Sequence, residues 1–204
     1  MNLLTAVIFG IVEGITEFLP ISSTGHLILT AQVLKTPSTE FLKSFEIAIQ
    51  LGAILSVVVL YWKSFFVKFS VLKKIIVAFI PTAIIGLCLY KIIKSFLLGN
   101  SSVVIWSLLI GGIVIIIFEI FYKPKGTETE GVEVITYPKA LLIGVFQSIA
   151  VIPGVSRSAA TIIGGLSLGL KRKTIVEFSF LLAVPTMLAA TVLDLLKSAN
   201  TFNS

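Results

Sequence analysis

Glu13 and Glu17 stand four residues apart, a spacing that puts both carboxylates on one face of a helix. With apolar residues on either side, such a pair must reach water, share a proton or hold a cation. One use is to bind a hard divalent cation together with a phosphate; another is general acid–base work by one carboxyl. After Pro20 come Ser22, Ser23, Thr24, Gly25 and His26, the one histidine of the chain. Proline ends a helical arm, and the hydroxyls and glycine supply a turn and an N-cap for the next helix. The free N–H groups at that helix start form a seat for an anion. A hydroxyl there can bind phosphate or attack it, and His26, three residues past Ser23, can activate the hydroxyl or protonate a leaving oxygen.

A second cluster answers the first. Pro153-Gly154 breaks an apolar arm, and Ser156, Arg157, Ser158 and Thr161 follow. Arg157 carries a permanent, forked charge suited to phosphate. Between apolar arms it needs an anion, and Glu13, Glu17 or a substrate phosphate are the candidates. Ser22, Thr24, Ser156, Ser158 and Thr161 join Arg157 as candidate phosphate-binding groups. Glu46 and Gln50, again i and i+4, sit near the start of an apolar stretch and are candidates to line the same cavity. Each feature also has a plainer reading: solvated carboxylates, capping hydroxyls, or a structural Arg–Glu pair.

The elements that must position these groups are apolar helices. Hydrophobic residues make up 56% of the 204, and the mean hydropathy is +1.07, which excludes an ordinary soluble domain. Crossing a hydrocarbon core of ~30 Å takes ~20 helical residues. Stretches 42–62, 72–93, 103–122 and 174–196 meet that length. Segments 3–19 and 140–152 are shorter and end in proline and small polar residues; they read as descending arms of re-entrant hairpins, with 27–34 and 160–170 returning. The fold class is therefore all-α: a polytopic membrane helical bundle with two re-entrant hairpins.

The net charge of +6 comes from lysines at the ends of apolar spans, with no basic face interleaved with aromatics, so nucleic acid is not an expected partner. Lys63, Lys68, Lys73, Lys74, Lys123, Lys125, Lys139, Lys171, Arg172 and Lys173 fall on one side of this topology. Lys35, Lys43, Lys91, Lys94 and Lys197 fall on the other. The positive-inside rule puts the first group in the cytoplasm and the amino terminus outside. A single cysteine, Cys88, excludes a disulfide framework. No basic n-region or small-residue cleavage site marks a signal peptide.

Gly10 and Glu13 match Gly144 and Gln147 at an offset of 134, and Pro20, Ser23 and Phe45 match Pro153, Ser156 and Phe178 at 133. Three crossings lie between the copies, so the second enters from the opposite face: an inverted-topology repeat with its site near the midplane. Residues 1–204 then form a single membrane domain, with repeat one at about 3–122, a cytoplasmic loop at about 123–139 and an incomplete repeat two at about 140–197. The small pairs Gly111-Gly112 and Gly164-Gly165 permit close packing, within one chain or in a homodimer. On this architecture alone, a lipid-phosphate flippase or anion transporter is the alternative to an enzyme. The Ser23–His26 pair favours hydrolysis.

The run EGITEFLPISSTGH (13–26) and the run PGVSRSAAT (153–161) resemble the glutamate-rich and arginine motifs of the undecaprenyl-pyrophosphate phosphatase, or bacitracin-resistance, family. Phe45-Glu46 through Gln50-Leu51-Gly52 and Glu177 through Pro185 agree too, so the resemblance runs from about residue 3 to about residue 197. It implies an integral membrane enzyme that converts undecaprenyl pyrophosphate to undecaprenyl phosphate, recycling the carrier for peptidoglycan precursors. Antagonism of bacitracin would be indirect, through that shared substrate. The family's glutamates fall on Glu13 and Glu17, its serine nucleophile on Ser23, its histidine on His26 and its phosphate-binding arginine on Arg157. The resemblance also implies a divalent cation, Mg²⁺ or Ca²⁺, held by Glu13 and Glu17. The site would open on the outer face of the bacterial cytoplasmic membrane. Whether Ser23 or a glutamate-held water attacks stays open. Family members usually continue for two more spans past Lys197, where this sequence reads Ser198–Ser204, so the second copy is expected to be incomplete.

Overall fold

The computed structural model describes residues 2–37, 39–66, 68–89, 100–124 and 130–202, and every element among them is helical. They run α1 (Leu3–Thr16), α2 (Ser23–Val33), α3 (Glu40–Leu60), α4 (Trp62–Phe66), α5 (Phe69–Cys88), α6 (Ser101–Phe121), α7 (Tyr137–Ser148), α8 (Arg157–Ser167) and α9 (Arg172–Phe202). Short 3₁₀ turns occupy Val132–Val134 and Ile149–Val151. Helix starts follow the capping residues: the side chains of Asn2, Thr39, Asn100 and Ser156 each accept from a backbone N–H two or three residues on.

Among the described residues, Phe69–Cys88, Ser101–Phe121 and Arg172–Leu193 are long and apolar enough to cross a membrane. The fourth expected span falls on α3, which runs from Glu40 to Leu60 with its charges Glu40, Lys43 and Glu46 in the first two turns, and ends at Tyr61. Both returning arms begin earlier than 27 and 160, at Ser23 and Arg157, because Ser22 and Ser156 act as caps at once. The loop expected to reach 139 ends at Thr136, where Pro138 in the first turn of α7 suits a helix start. Residues 90–93 of the second expected span, and Lys91, Lys94 and Lys125, lie outside the described residues.

Between apolar helices in lipid, close packing replaces the hydrophobic drive. Helix α7 lies against α5 so tightly that a Cβ at Gly144 would run into the Ala78 carbonyl. Val71, Ile75 and Ala78 of α5, Ile143 of α7 and Ile175, Phe178 and Leu182 of α9 form the main buried cluster. A smaller cluster of Phe9, Leu27 and Leu42 holds α1 and α2 to α3, with Phe9 and Phe45 edge to face at 6.4 Å. Gln147 of α7, fully buried, donates to Thr82 at 2.9 Å and Thr186 at 3.1 Å, the residues after Pro81 in α5 and Pro185 in α9. On the surface, Lys68 pairs with Glu133, Lys171 with Glu130 and Arg172 with Glu119. The hydrogen bond from Lys68 holds the Glu133 carboxyl below the usual carboxylate range.

Candidate active site

Helix α1 stops at Thr16, and residues 17–21 turn the chain toward α2. That turn and the start of α2 meet the start of α8. The α7–α8 connection is sharp because Gly154 takes φ +91°, and a Cβ there would lie 2.7 Å from the Val104 carbonyl oxygen of α6. Only glycine satisfies both conditions. Two contacts join the first turn to the start of α8, and a third ties it to Phe180 of α9. Ser158 Oγ donates to the Leu19 carbonyl at 2.8 Å. Phe18 meets Phe180 edge to face at 5.4 Å. Arg157 Nη2 donates to Glu17 Oε1 at 2.6 Å.

Glu17 is the centre of the site. Its Oε1 takes the arginine and its Oε2 accepts Ser23 Oγ–H at 2.5 Å. Glu17 is 5% exposed and Ser23 6%, so both bonds are made out of water. Arg157 is fixed a second time, by Nη1 to the Ser179 carbonyl at 3.1 Å. The hydroxyl of Ser179 donates to Thr161 Oγ1 at 2.6 Å, whose own proton goes back to the carbonyls of Arg157 and Ser158. Ser156 Oγ caps α8 by accepting the Ala159 N–H and lies 3.1 Å from Ser158 Oγ. A cavity of about 70 Å³ opens beside these groups, lined by Glu17, Ser22, Ser23, Thr24, Ser156, Arg157 and Ser158 with Leu19, Ala150, Val155 and Met187. One water needs ~10–15 Å³ of such space, so there is room for a larger polar group. Polar side chains and four apolar ones line it together.

Of the residues expected at a site, the structure brings Glu17, Ser22, Ser23, Thr24, Ser156, Arg157 and Ser158 to one cavity. Thr161 lies behind Arg157. Gln50 reaches the rim, its Nε2 3.3 Å from Thr24 Oγ1. His26 does not touch Ser23; its Nδ1 is 2.8 Å from the Ser22 carbonyl. Glu13 is 1% exposed, and neither of its oxygens has a hydrogen-bond partner among the described residues. A carboxyl left so must carry a proton or face a cation. Two free hard oxygens suit Mg²⁺ or Ca²⁺, which complete their shells with water and phosphate. Among the described residues no group of three or more His, Cys, Asp or Glu could form a larger cage. Each Glu17 oxygen has spent one lone pair, on Arg157 or on Ser23, and keeps a second. The Ser179 and Leu19 contributions were not anticipated: both act through main-chain carbonyls, which side-chain identity does not announce.

These features define a polytopic, all-helical membrane protein with a buried hydroxyl–carboxylate–arginine site built from two distant segments. The model of the bacitracin resistance protein BacA family matches residues 6–204, and the chain belongs to that family. The undecaprenyl-diphosphatase of Aquifex aeolicus (strain VF5) is 61% identical over 199 residues, 98% of this chain and 77% of that protein. Those of Sulfurihydrogenibium sp. (strain YO3AOP1) and Persephonella marina (strain DSM 14350 / EX-H1) are 55% and 54% identical over 203 residues, all of this chain and 79% of each.

Proposed function

We infer that the protein is an integral membrane phosphatase that hydrolyses undecaprenyl pyrophosphate to undecaprenyl phosphate and inorganic phosphate. The observation that carries the mechanism is the direct contact of Ser23 with Glu17, while Glu17 is held by Arg157. In the first step Ser23 Oγ attacks the terminal phosphorus and passes its proton to Glu17 Oε2. The Oγ–P bond forms, the bridging O–P bond breaks, and undecaprenyl phosphate leaves with the electron pair. Glu17 gives that proton to the departing undecaprenyl phosphate. Water then attacks the phosphoserine, Glu17 takes up a proton from it and passes it to Ser23 Oγ as the Oγ–P bond breaks, and phosphate departs with Ser23 restored. Arg157 and the N–H groups at the start of α8 stabilise charge on the transferred group. Glu13 would hold a divalent cation, which when bound neutralises phosphate charge. The apolar lining residues Leu19, Ala150, Val155 and Met187 suit the start of the prenyl chain.

In this reading α1–α2 and α7–α8 are re-entrant hairpins of an inverted repeat whose tips meet within the membrane. The short lengths of α1, α2, α7 and α8 support it, as does burial of charged groups between apolar helices. The lysine-rich end faces the cytoplasm and the site opens outward. A carrier has no need of a hydroxyl on its carboxylate, so transport is the weaker reading. The test is phosphate release from a C15 or C55 prenyl pyrophosphate by the protein in detergent with Mg²⁺. The parent should release phosphate and Ser23→Ala should not. Full release by Ser23→Ala would remove the serine from the mechanism.

A further inference from the structure

Ser22 has φ +62° and ψ 95°, a left-handed conformation that a residue with a Cβ rarely adopts. Such strain persists only where surrounding contacts over-determine it. Here the contacts are few and local. The Ser22 carbonyl accepts the His26 backbone N–H at 3.2 Å and faces His26 Nδ1 at 2.8 Å. The Ser22 hydroxyl caps Gly25 N at 3.4 Å. A carbonyl offers only acceptor pairs, so Nδ1 carries a proton and donates it. The Ser22 carbonyl belongs to the peptide plane that joins Ser22 to Ser23. Fixing that plane fixes the direction of the Ser23 Cα–Cβ bond, and with it the aim of Oγ at Glu17 Oε2. No hydrogen bond links the His26 ring to Ser23 or Glu17.

We propose that His26 is a positioning residue: its Nδ1–H clamps the strained Ser22 carbonyl and so aims the Ser23 hydroxyl, and it does not itself move the proton. The inference rests on the reading of Ser23 as nucleophile. It has consequences that an acid–base role does not share. The amide nitrogen of asparagine occupies nearly the place of Nδ1 and can donate the same bond, yet it does not titrate. Glycine at position 22 would adopt positive φ without cost, so it should lessen the need for the clamp.

The experiment compares His26→Ala, His26→Asn, Ser22→Gly and the double variant Ser22→Gly/His26→Ala with the parent in detergent. The readouts are kcat and KM on a prenyl pyrophosphate, the pH–rate profile, and thermal unfolding. His26→Ala should lower kcat on the order of 10- to 100-fold, the scale of a lost positioning bond, with KM little changed. His26→Asn should recover to within about threefold and keep the parent's pH profile. The double variant should regain part of the kcat lost by His26→Ala. The proposal is overturned if His26→Ala is fully active, if His26→Asn is as poor as His26→Ala while still folded, or if His26→Asn erases a limb of the pH profile. Unfolding supplies a readout independent of phosphatase chemistry. His26→Ala should lower the midpoint and Ser22→Gly should raise it in that background, whether or not the protein hydrolyses prenyl pyrophosphates. Strict additivity of the two substitutions would refute the clamp even if the phosphatase reading stands.

Discussion

Removing Arg157 should damage stability and chemistry together, and the two losses can be separated. The side chains of Arg157 and Glu17 are 9% and 3% exposed and meet at 2.6 Å. Taking away one partner of a buried pair costs about 3–5 kcal/mol, because the other charge is left uncompensated. Glu17 keeps one donor, Ser23, which points to the lower part of that range. The Ser179 carbonyl also loses its arginine donor, worth about 1 kcal/mol. A loss near 4 kcal/mol in a chain of this size lowers the midpoint by roughly 8–16 °C at about 2–4 °C per kcal/mol. Arg157→Ala should show this fall by differential scanning fluorimetry in detergent. Its phosphate release from a prenyl pyrophosphate should drop by about 10³-fold or more, as for other losses of a transition-state donor. The double variant Glu17→Gln/Arg157→Met removes both charges and should regain most of the lost stability, yet release no more phosphate than Arg157→Ala. Unchanged melting of Arg157→Ala would mean the pair is not buried as described. Recovery of activity by the neutral pair would mean that it serves folding alone.

Two further outcomes are expected. Gly144→Ala should push α5 and α7 apart, since the added methyl meets the Ala78 carbonyl; the cost is about 1–3 kcal/mol, readable as a lower unfolding midpoint with the site residues untouched. Glu13→Gln should weaken binding of Mn²⁺, used in place of Mg²⁺ and followed by electron paramagnetic resonance on the resting protein, whereas Ser23→Ala should bind it as the parent does. Equal binding by Glu13→Gln would take Glu13 out of the cation site.

The chemistry of the site was legible in the sequence because its side chains are costly where they stand. Glu17, Ser23 and Arg157 interrupt apolar stretches, and nothing but a partner or a task tolerates them there. What was not legible is who pairs with whom. His26 is closer in sequence to Ser23 than Glu17 is, yet the left-handed turn at Ser22 swings the hydroxyl to the carboxylate and the imidazole to a carbonyl. Helix position could not reveal this, because the decisive variable is one backbone angle. Ser179 and Leu19 serve through carbonyl oxygens that every residue possesses. Gln147 matches Glu13 in the repeat, but its amide is spent on Thr82 and Thr186, two helices that only packing brings beside it. The lengths of apolar runs placed the helices, and missed where caps start them, as at Ser22 and Ser156.

Glu17 and Arg157 are separated by 140 residues of chain, and this has a consequence for the order of synthesis. At about 5–20 residues per second, the carboxylate exists for roughly 7–28 s before the arginine that neutralises it is made. During that interval the α1–α2 segment carries a carboxylate without the guanidinium it pairs with. The buried pair is therefore a late event: Glu17 meets its counter-charge only when the start of α8 docks on the turn after α1.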